Sequence, residues 1–331
     1  MSAATGIGSM PGEDASDYDE AVRVVIDTLP DLPHLPELPG RGPAADMTGR
    51  SLAVLADLGA DLQPAGWRLT GGRGSAGVDH RRARSLLAQD LDVVEEQTQG
   101  YSGTFKIQVT GPWTLAATVE KPRGDRVLSD RGARRELAEA LAEGLREHVA
   151  DVRRRLPEAD LVVQVDEPAL PAVLGGRVPT ASGFHRHRSV DAPGASPALE
   201  WVFGAVADAG ATPVAHCCAA DVPIGLLTGA GAAGVSVDLD VLPASAYDDL
   251  AGLLEQGRPV YLGVLPGTAP TTPPTESAVV ERVLRFLDML GLDPDSALSL
   301  VLTPSCGLAG AGEEWSREAL RLLSKVAAEL G

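Results

Sequence analysis

Three side chains stand out as candidates for chemistry: the imidazole of His216 and the thiols of Cys218 and Cys306. His216-Cys217-Cys218 closes an apolar run at residues 212–216. Side chains alternate along a strand, so His216 and Cys218 share one face while Cys217 points away as a core residue. A second run, 234–238, ends at Asp238, with Asp240 one pleat further on the same face. Cys306 follows a third run, 298–303, within Thr303-Pro304-Ser305-Cys306-Gly307-Leu308. Imidazole, two thiolates and a carboxylate form a donor set that zinc accepts in a tetrahedron. Two sulfurs select zinc over magnesium or manganese. A thiol bound at such a site loses its proton and becomes a strong nucleophile at neutral pH. Buried cysteines also serve as small apolar residues, and the spacing is not of finger type. Residue types alone therefore leave zinc and plain core thiols both open.

The elements that would bring these residues together follow from hydrophobic periodicity. Strand-like runs fall at 5–9, 60–68, 104–110, 161–166, 212–216, 234–238, 260–265 and 298–303. Helical spacing occupies 45–58, 81–96, 131–156, 199–209, 222–228, 247–255, 277–290 and 314–330. Ser129 or Asp130 can cap the long helix, and Gly210, Gly257 and Gly291 each follow a last helical turn. Eight strands alternating with eight helices predict a single α/β domain over residues 1–331, a (β/α)8 TIM barrel. An open doubly wound sheet is the alternative, and eight units in this length favour closure. Gln63-Pro64 interrupts the second run. In such a barrel the site lies at the C-terminal ends of the strands, where the candidate ligands stand.

Composition excludes several function classes. The chain has 331 residues and a formal charge of −18, from 28 basic and 46 acidic residues, which disfavours nucleic acid and anionic membrane. Aromatic residues make up only 4%, too few for base-stacking platforms. No apolar stretch reaches about 18 residues, and the start does not read as a signal peptide. Three cysteines are an odd number, arguing against a disulfide framework. A cytoplasmic protein is expected.

Several motifs resemble one family. Thr5-Gly6-Ile7-Gly8-Ser9-Met10-Pro11 resembles an opening IGS-x-P strand, and Thr110-Gly111-Pro112-Trp113-Thr114-Leu115 a GP-x-T turn. Gln164-Val165-Asp166-Glu167-Pro168-Ala169-Leu170 is similar to an IDEPAL signature, the most specific of the set. His216-Cys217-Cys218 fits HxC, and Ser305-Cys306-Gly307-Leu308 fits DCGL. Together, in order and over nearly the whole chain, they resemble the C-terminal catalytic barrel of cobalamin-independent methionine synthase. The likeness is closer to the short single-barrel members of that methionine synthase/uroporphyrinogen decarboxylase-like superfamily.

The resemblance implies a Zn2+-dependent methyltransferase that methylates the thiol of homocysteine to give methionine. His216, Cys218, Asp238 and Cys306 would hold zinc, with Asp238 where the family has glutamate and Asp240 as the alternative. Asp166 would be the catalytic-site group that binds the amino group. Gly8, Ser9 and Glu167 would complete the substrate contacts. Three departures bear on the donor. The family's additional N-terminal barrel, which helps hold polyglutamylated folate, is absent. A histidine that assists the folate leaving group has no counterpart in Leu265-Pro266-Gly267-Thr268-Ala269-Pro270-Thr271. The glutamate after the second strand is replaced by Pro64-Ala65-Gly66-Trp67-Arg68. The expected donor is thus a methyl-corrinoid such as methylcobalamin, free or on a corrinoid protein, rather than methyl-folate. Transfer to another thiol, or a non-catalytic zinc- or corrinoid-binding accessory role, are the other readings. His34 and Glu37, in a proline-rich segment after the first strand, are left without a role.

Overall fold

A computed structural model describes residues 2–72 and 76–331. Its strands are β1 (Ala3–Ala4), β2 (Gly59–Gln63), β3 (Gly66–Gly71), β4 (Thr104–Thr110), β5 (Asp160–Asp166), β6 (Thr212–Cys217), β7 (Gly234–Asp238), β8 (Val260–Leu265) and β9 (Leu300–Pro304). The helices are α1 (Ala15–Thr28), α2 (Met47–Val54), α3 (Val78–Gln97), α4 (Pro112–Thr118), α5 (Arg131–Arg155), α6 (Leu170–Leu174), α7 (Ala192–Asp208), α8 (Ile224–Gly229), α9 (Tyr247–Glu255), α10 (Glu276–Leu290) and α11 (Glu313–Leu330). On the longest, Leu137, Leu141, Leu145, Val149 and Val152 recur at helical spacing and are buried. Asp130 caps it, accepting from the Ala133 N–H. Gly210, Gly257 and Gly291 all take positive φ, as helix-ending glycines should. Among the described residues no helix is long and apolar enough to cross a membrane.

Among the described residues, seven strands form one parallel sheet in the order β1-β9-β8-β7-β6-β5-β4. Leu32, Val162, Val214, Tyr261 and Val301 pack into one buried cluster. Residues of β5 and β9, with three strands between them, can share that cluster only if the sheet curls around it. Its two edges are stitched together by residues 33–37. Lys106 donates its N–H to Pro33 O (2.9 Å), and Leu35 donates to Lys106 O (2.8 Å). On the other side Glu37 donates to Gly8 O (3.0 Å), and Met10 donates to Glu37 O (2.8 Å).

This corrects two expectations. The run 60–68 does not join the main sheet; it splits into the antiparallel hairpin β2–β3. Proline lacks a ladder donor, and Gly66, at φ +117°, takes a backbone conformation few other residues accept, so the chain turns back there. The run 5–9 is not regular strand: β1 is Ala3–Ala4 and ends before Gly6, where any Cβ would lie 2.3 Å from the His34 ring. Helix α1 lies outside every helical run read from the periodicity. Its signal was a capping box, Asp14 with Asp17, in an acidic stretch of weak apolar pattern.

The stitching segment is anchored from outside by charge. Asp90 on α3 takes two hydrogen bonds from Arg41 (2.8 and 2.7 Å) and a third from Arg50 on α2. Asp90 and Arg50 are buried, and Arg50 also lies 3.6 Å from Glu37. Removing one member of such a cluster strands buried charge. Asp90→Asn should therefore cost on the order of 3–5 kcal/mol in urea unfolding. A loss well under about 1 kcal/mol would mean that the cluster does not anchor the segment.

Candidate metal centre

Parallel register decides what meets at the rim. Asp166 on β5 is the Cα partner of His216 on β6, which in turn partners Ser236 on β7. Partners across a parallel sheet point the same way, so all three side chains face the interior. The Ser236 hydroxyl sits 2.8 Å from His216 Nδ1, which leaves Nε2 for a neighbour. Cys218, just past β6, and Cys306, in the turn after β9, place their sulfurs 3.2 Å apart. The ligand atoms of His216, Cys218 and Cys306 all lie within 4.8 Å of one another, a group that could hold a metal ion. Cys217 is buried in the apolar core, as alternation predicts.

The thiols are already polarised. Hydrogen bonds from Cys218 and His216 hold the Cys306 thiol down at about 4, against the opposing effect of burial. The same sulfur–sulfur bond pushes Cys218 up, so one proton serves two sulfurs. Two soft donors with a buried imidazole fixed by a hydroxyl fit a borderline-soft cation.

The expected fourth ligand does not join them. Asp238 lies outside the group, its carboxylate accepting from the Asp240 N–H at 2.9 Å. Asp240 is turned to the surface, paired with Arg282 at 2.6 Å. An aspartate is one methylene shorter than the glutamate expected there, and its carboxylate folds back onto its own turn instead of crossing to the sulfurs.

Next to His216 lies a cluster of buried polar side chains. Asp166 accepts from Gln164 (2.7 Å), and burial raises its carboxyl. Gln108 donates to Leu35 O and to Glu37 Oε1 (2.7 and 3.0 Å), leaving its own carbonyl oxygen buried without a partner. Lys106, fully buried, donates to Ile7 O and Gln164 Oε1, both at 2.9 Å; burial lowers its ammonium. Lys106, Gln108 and Gln164 escaped the sequence reading, although Lys106, Gln108 and Thr110 alternate along one strand face. Glu37 was read without a role, and the glutamate expected after the second strand was sought at 64–68. Residues 33–37 stand between β4 and the segment that follows β1, and Glu37 ends them.

Glu167 is held by α4. Its carboxylate accepts from the Trp113 and Thr114 N–H groups (both 2.8 Å) and the Thr114 hydroxyl (2.7 Å), with no surface exposed. It takes up the two N–H groups at the start of α4 that would otherwise lack partners, Pro112 having none and Gly111 donating to Asp166 O. Ser9 does reach the site: a Cβ at Gly307 would lie 2.0 Å from its hydroxyl oxygen, next to Cys306. Gly8 lies against Gln108, and its carbonyl is committed to Glu37.

Ser236→Ala should weaken Co2+ binding, followed by its thiolate absorption, about 10- to 100-fold while leaving the fold intact. Unchanged affinity would show that the hydroxyl does not orient the imidazole.

No match was found among curated proteins. The structure of a B12-independent methionine synthase from Shewanella sp. W3-18-1, in complex with selenomethionine, aligns over 99% of this chain and 97% of its own. Its TM-score is 0.64 at 16% identity, which shows a shared fold. A 2,3-dimethylmalate lyase of the PEP mutase/isocitrate lyase superfamily aligns over 98% of this chain and 83% of its own, with a TM-score of only 0.40 at 10% identity. The family model described as cobalamin-independent synthase, catalytic domain, matches residues 89–329, most of the chain and all three clustered donors, and the chain belongs to that family.

Proposed function

We propose that the chain is a single zinc-dependent methyltransferase domain that methylates the sulfur of homocysteine to give methionine, in a closed (β/α)8 barrel whose eighth stave is the segment 33–37. The observation that carries this reading is adjacency: a His-Cys-Cys donor group and a buried carboxylate, Asp166, sit on neighbouring strands in register. Few substrates need a soft metal and an anion side by side; an amino acid with a thiol is one.

His216, Cys218 and Cys306 would hold the ion, leaving one tetrahedral position for a substrate sulfur. When bound, zinc supplies the positive charge that lets a coordinated thiol ionise at neutral pH. The chain's own groups do the rest. Asp166, Glu37 and the free carbonyl of Gln108 offer oxygen acceptors to an ammonium, one for each of its N–H bonds. Lys106 balances the two carboxylates and keeps the cluster from accumulating negative charge. The Ser9 hydroxyl is placed to donate to the substrate carboxylate. Anchored at both ends, the sulfur would face outward at the barrel mouth, aligned for transfer of a methyl group. The family's description as cobalamin-independent weighs against a corrinoid donor or corrinoid protein, and makes a methyl-folate the first donor to test.

The direct test measures zinc in the purified protein and homocysteine methylation with methyltetrahydrofolate and with methylcobalamin. About one zinc per chain is expected, lost in Cys306→Ser together with activity. Asp166→Asn and Glu37→Gln should keep zinc but raise KM for homocysteine about tenfold or more, the effect of losing a charge-assisted hydrogen bond. Zinc content far below one per chain and indifferent to Cys306→Ser would sink the metal assignment. Full zinc with no thiol methylated by either donor would favour a binding protein.

A further inference from the structure

Gln164 lies on β5 one pleat below Asp166, and its side chain is fully buried. Its Oε1 accepts from Lys106 Nζ at 2.9 Å. Its Nε2 donates to Asp166 Oδ1 at 2.7 Å and to Ile7 O at 2.9 Å. Lys106 Nζ donates to the same Ile7 O, also at 2.9 Å. Ammonium, amide and carbonyl thus close a ring across β4, β5 and the segment after β1, with Asp166 attached to it from the rim side.

An amide side chain can turn over, exchanging its oxygen and nitrogen. Here only one orientation works. A lysine ammonium has donors and no acceptor, so it must face the amide oxygen. Ile7 O and the Asp166 carboxylate are acceptors, so they must face the NH2 group. Turning the amide over would lose all three bonds. Two buried polar side chains are committed to this arrangement, where an apolar pair would fill the same interior at a lower desolvation cost. Val162, one pleat further down the same face, belongs to the apolar floor and shows how this interior is filled where packing alone matters.

We propose that Gln164 is a positioning residue for the amino-acid substrate. Oriented by Lys106, it holds Asp166 Oδ1 and leaves Oδ2 for the substrate ammonium. Through Ile7 O it ties that carboxylate to the segment that ends in Ser9. The groups that receive the two charged ends of the substrate are held at one spacing, which selects a thiol that carries both. This rests on the homocysteine reading of the site. Gln164 touches no reacting atom; it acts through Asp166.

The test compares binding of L-homocysteine with that of 4-mercaptobutanoate, which has the same thiol and carboxylate but no amine, by calorimetry on the zinc-loaded protein. Wild type should prefer homocysteine. Gln164→Leu should reduce that preference about tenfold, with zinc content unchanged. Gln164→Met, unbranched and of similar length, should do the same and guards against a packing fault in the leucine variant. Asp166→Asn should also reduce the preference, and adding Gln164→Leu to it should reduce it no further, because the two act as one unit. A packing defect by itself would weaken both thiols alike. Equal loss for both thiols, an unchanged preference in the zinc-bearing Gln164 variants, or a further loss in the double variant would overturn the proposal and leave the homocysteine reading in place. A wild type that binds neither thiol, or both alike, would overturn that reading and this proposal with it.

Discussion

In-register parallel pairing of β5, β6 and β7 is the constraint on which the site depends. Because Asp166, His216 and Ser236 are neighbours across that ladder, a carboxylate, an imidazole and its orienting hydroxyl arrive on the interior side at one height. A slip of one residue in any strand would send its side chain to the helical layer instead. The sulfurs need no ladder of their own. Each follows directly after a strand, so the same register that places His216 delivers Cys218 and Cys306 to it.

Below that rim the interior is graded. The apolar cluster of Leu32, Val162, Val214, Tyr261 and Val301 fills its floor, and the polar side chains of Lys106, Gln108, Gln164, Asp166 and Glu37 occupy the space toward the rim. Burying a lysine and two carboxylates costs more than an apolar filling would. The hydrogen bonds compensate only in part, since the Gln108 carbonyl oxygen is left bare. A buried polar cluster assembled at such a cost, next to a thiol cluster, is better suited to recognition than to stability. The ion cluster of Asp90 with Arg41 and Arg50 extends the network outward and clamps the segment that carries Glu37.

The legible parts of the sequence were those with strong local periodicity. The strands at 104–110, 234–238 and 260–265 and the helix at 247–255 appear with the same bounds in the structure. The HxC alternation sorted Cys218 from Cys217, and the family motifs lay where strands end. The hairpin at 59–71 was misread because apolar content resembles a strand whether or not the strand joins the main sheet. Glu37 was passed over because residues 33–37 are interrupted by prolines and look like a loop; they bridge two strands with only a few hydrogen bonds. Glu167 adjoins Asp166 in sequence, yet its carboxylate is held by α4. In a strand, adjacency means opposite faces, and the alternation that sorted the cysteines applies here too.

The sequence by itself determined the alternating α/β plan, the strand ends and the identity of the soft donors, since each follows from local pattern and residue chemistry. Tertiary structure alone decided which distant residues became neighbours. It paired Ser236 with His216, turned Asp238 and Asp240 away, and inserted Glu37 between strands far from it in the chain. The reason is geometric: strand register and sheet curvature are set by packing across the whole domain, and no local window of residues contains them.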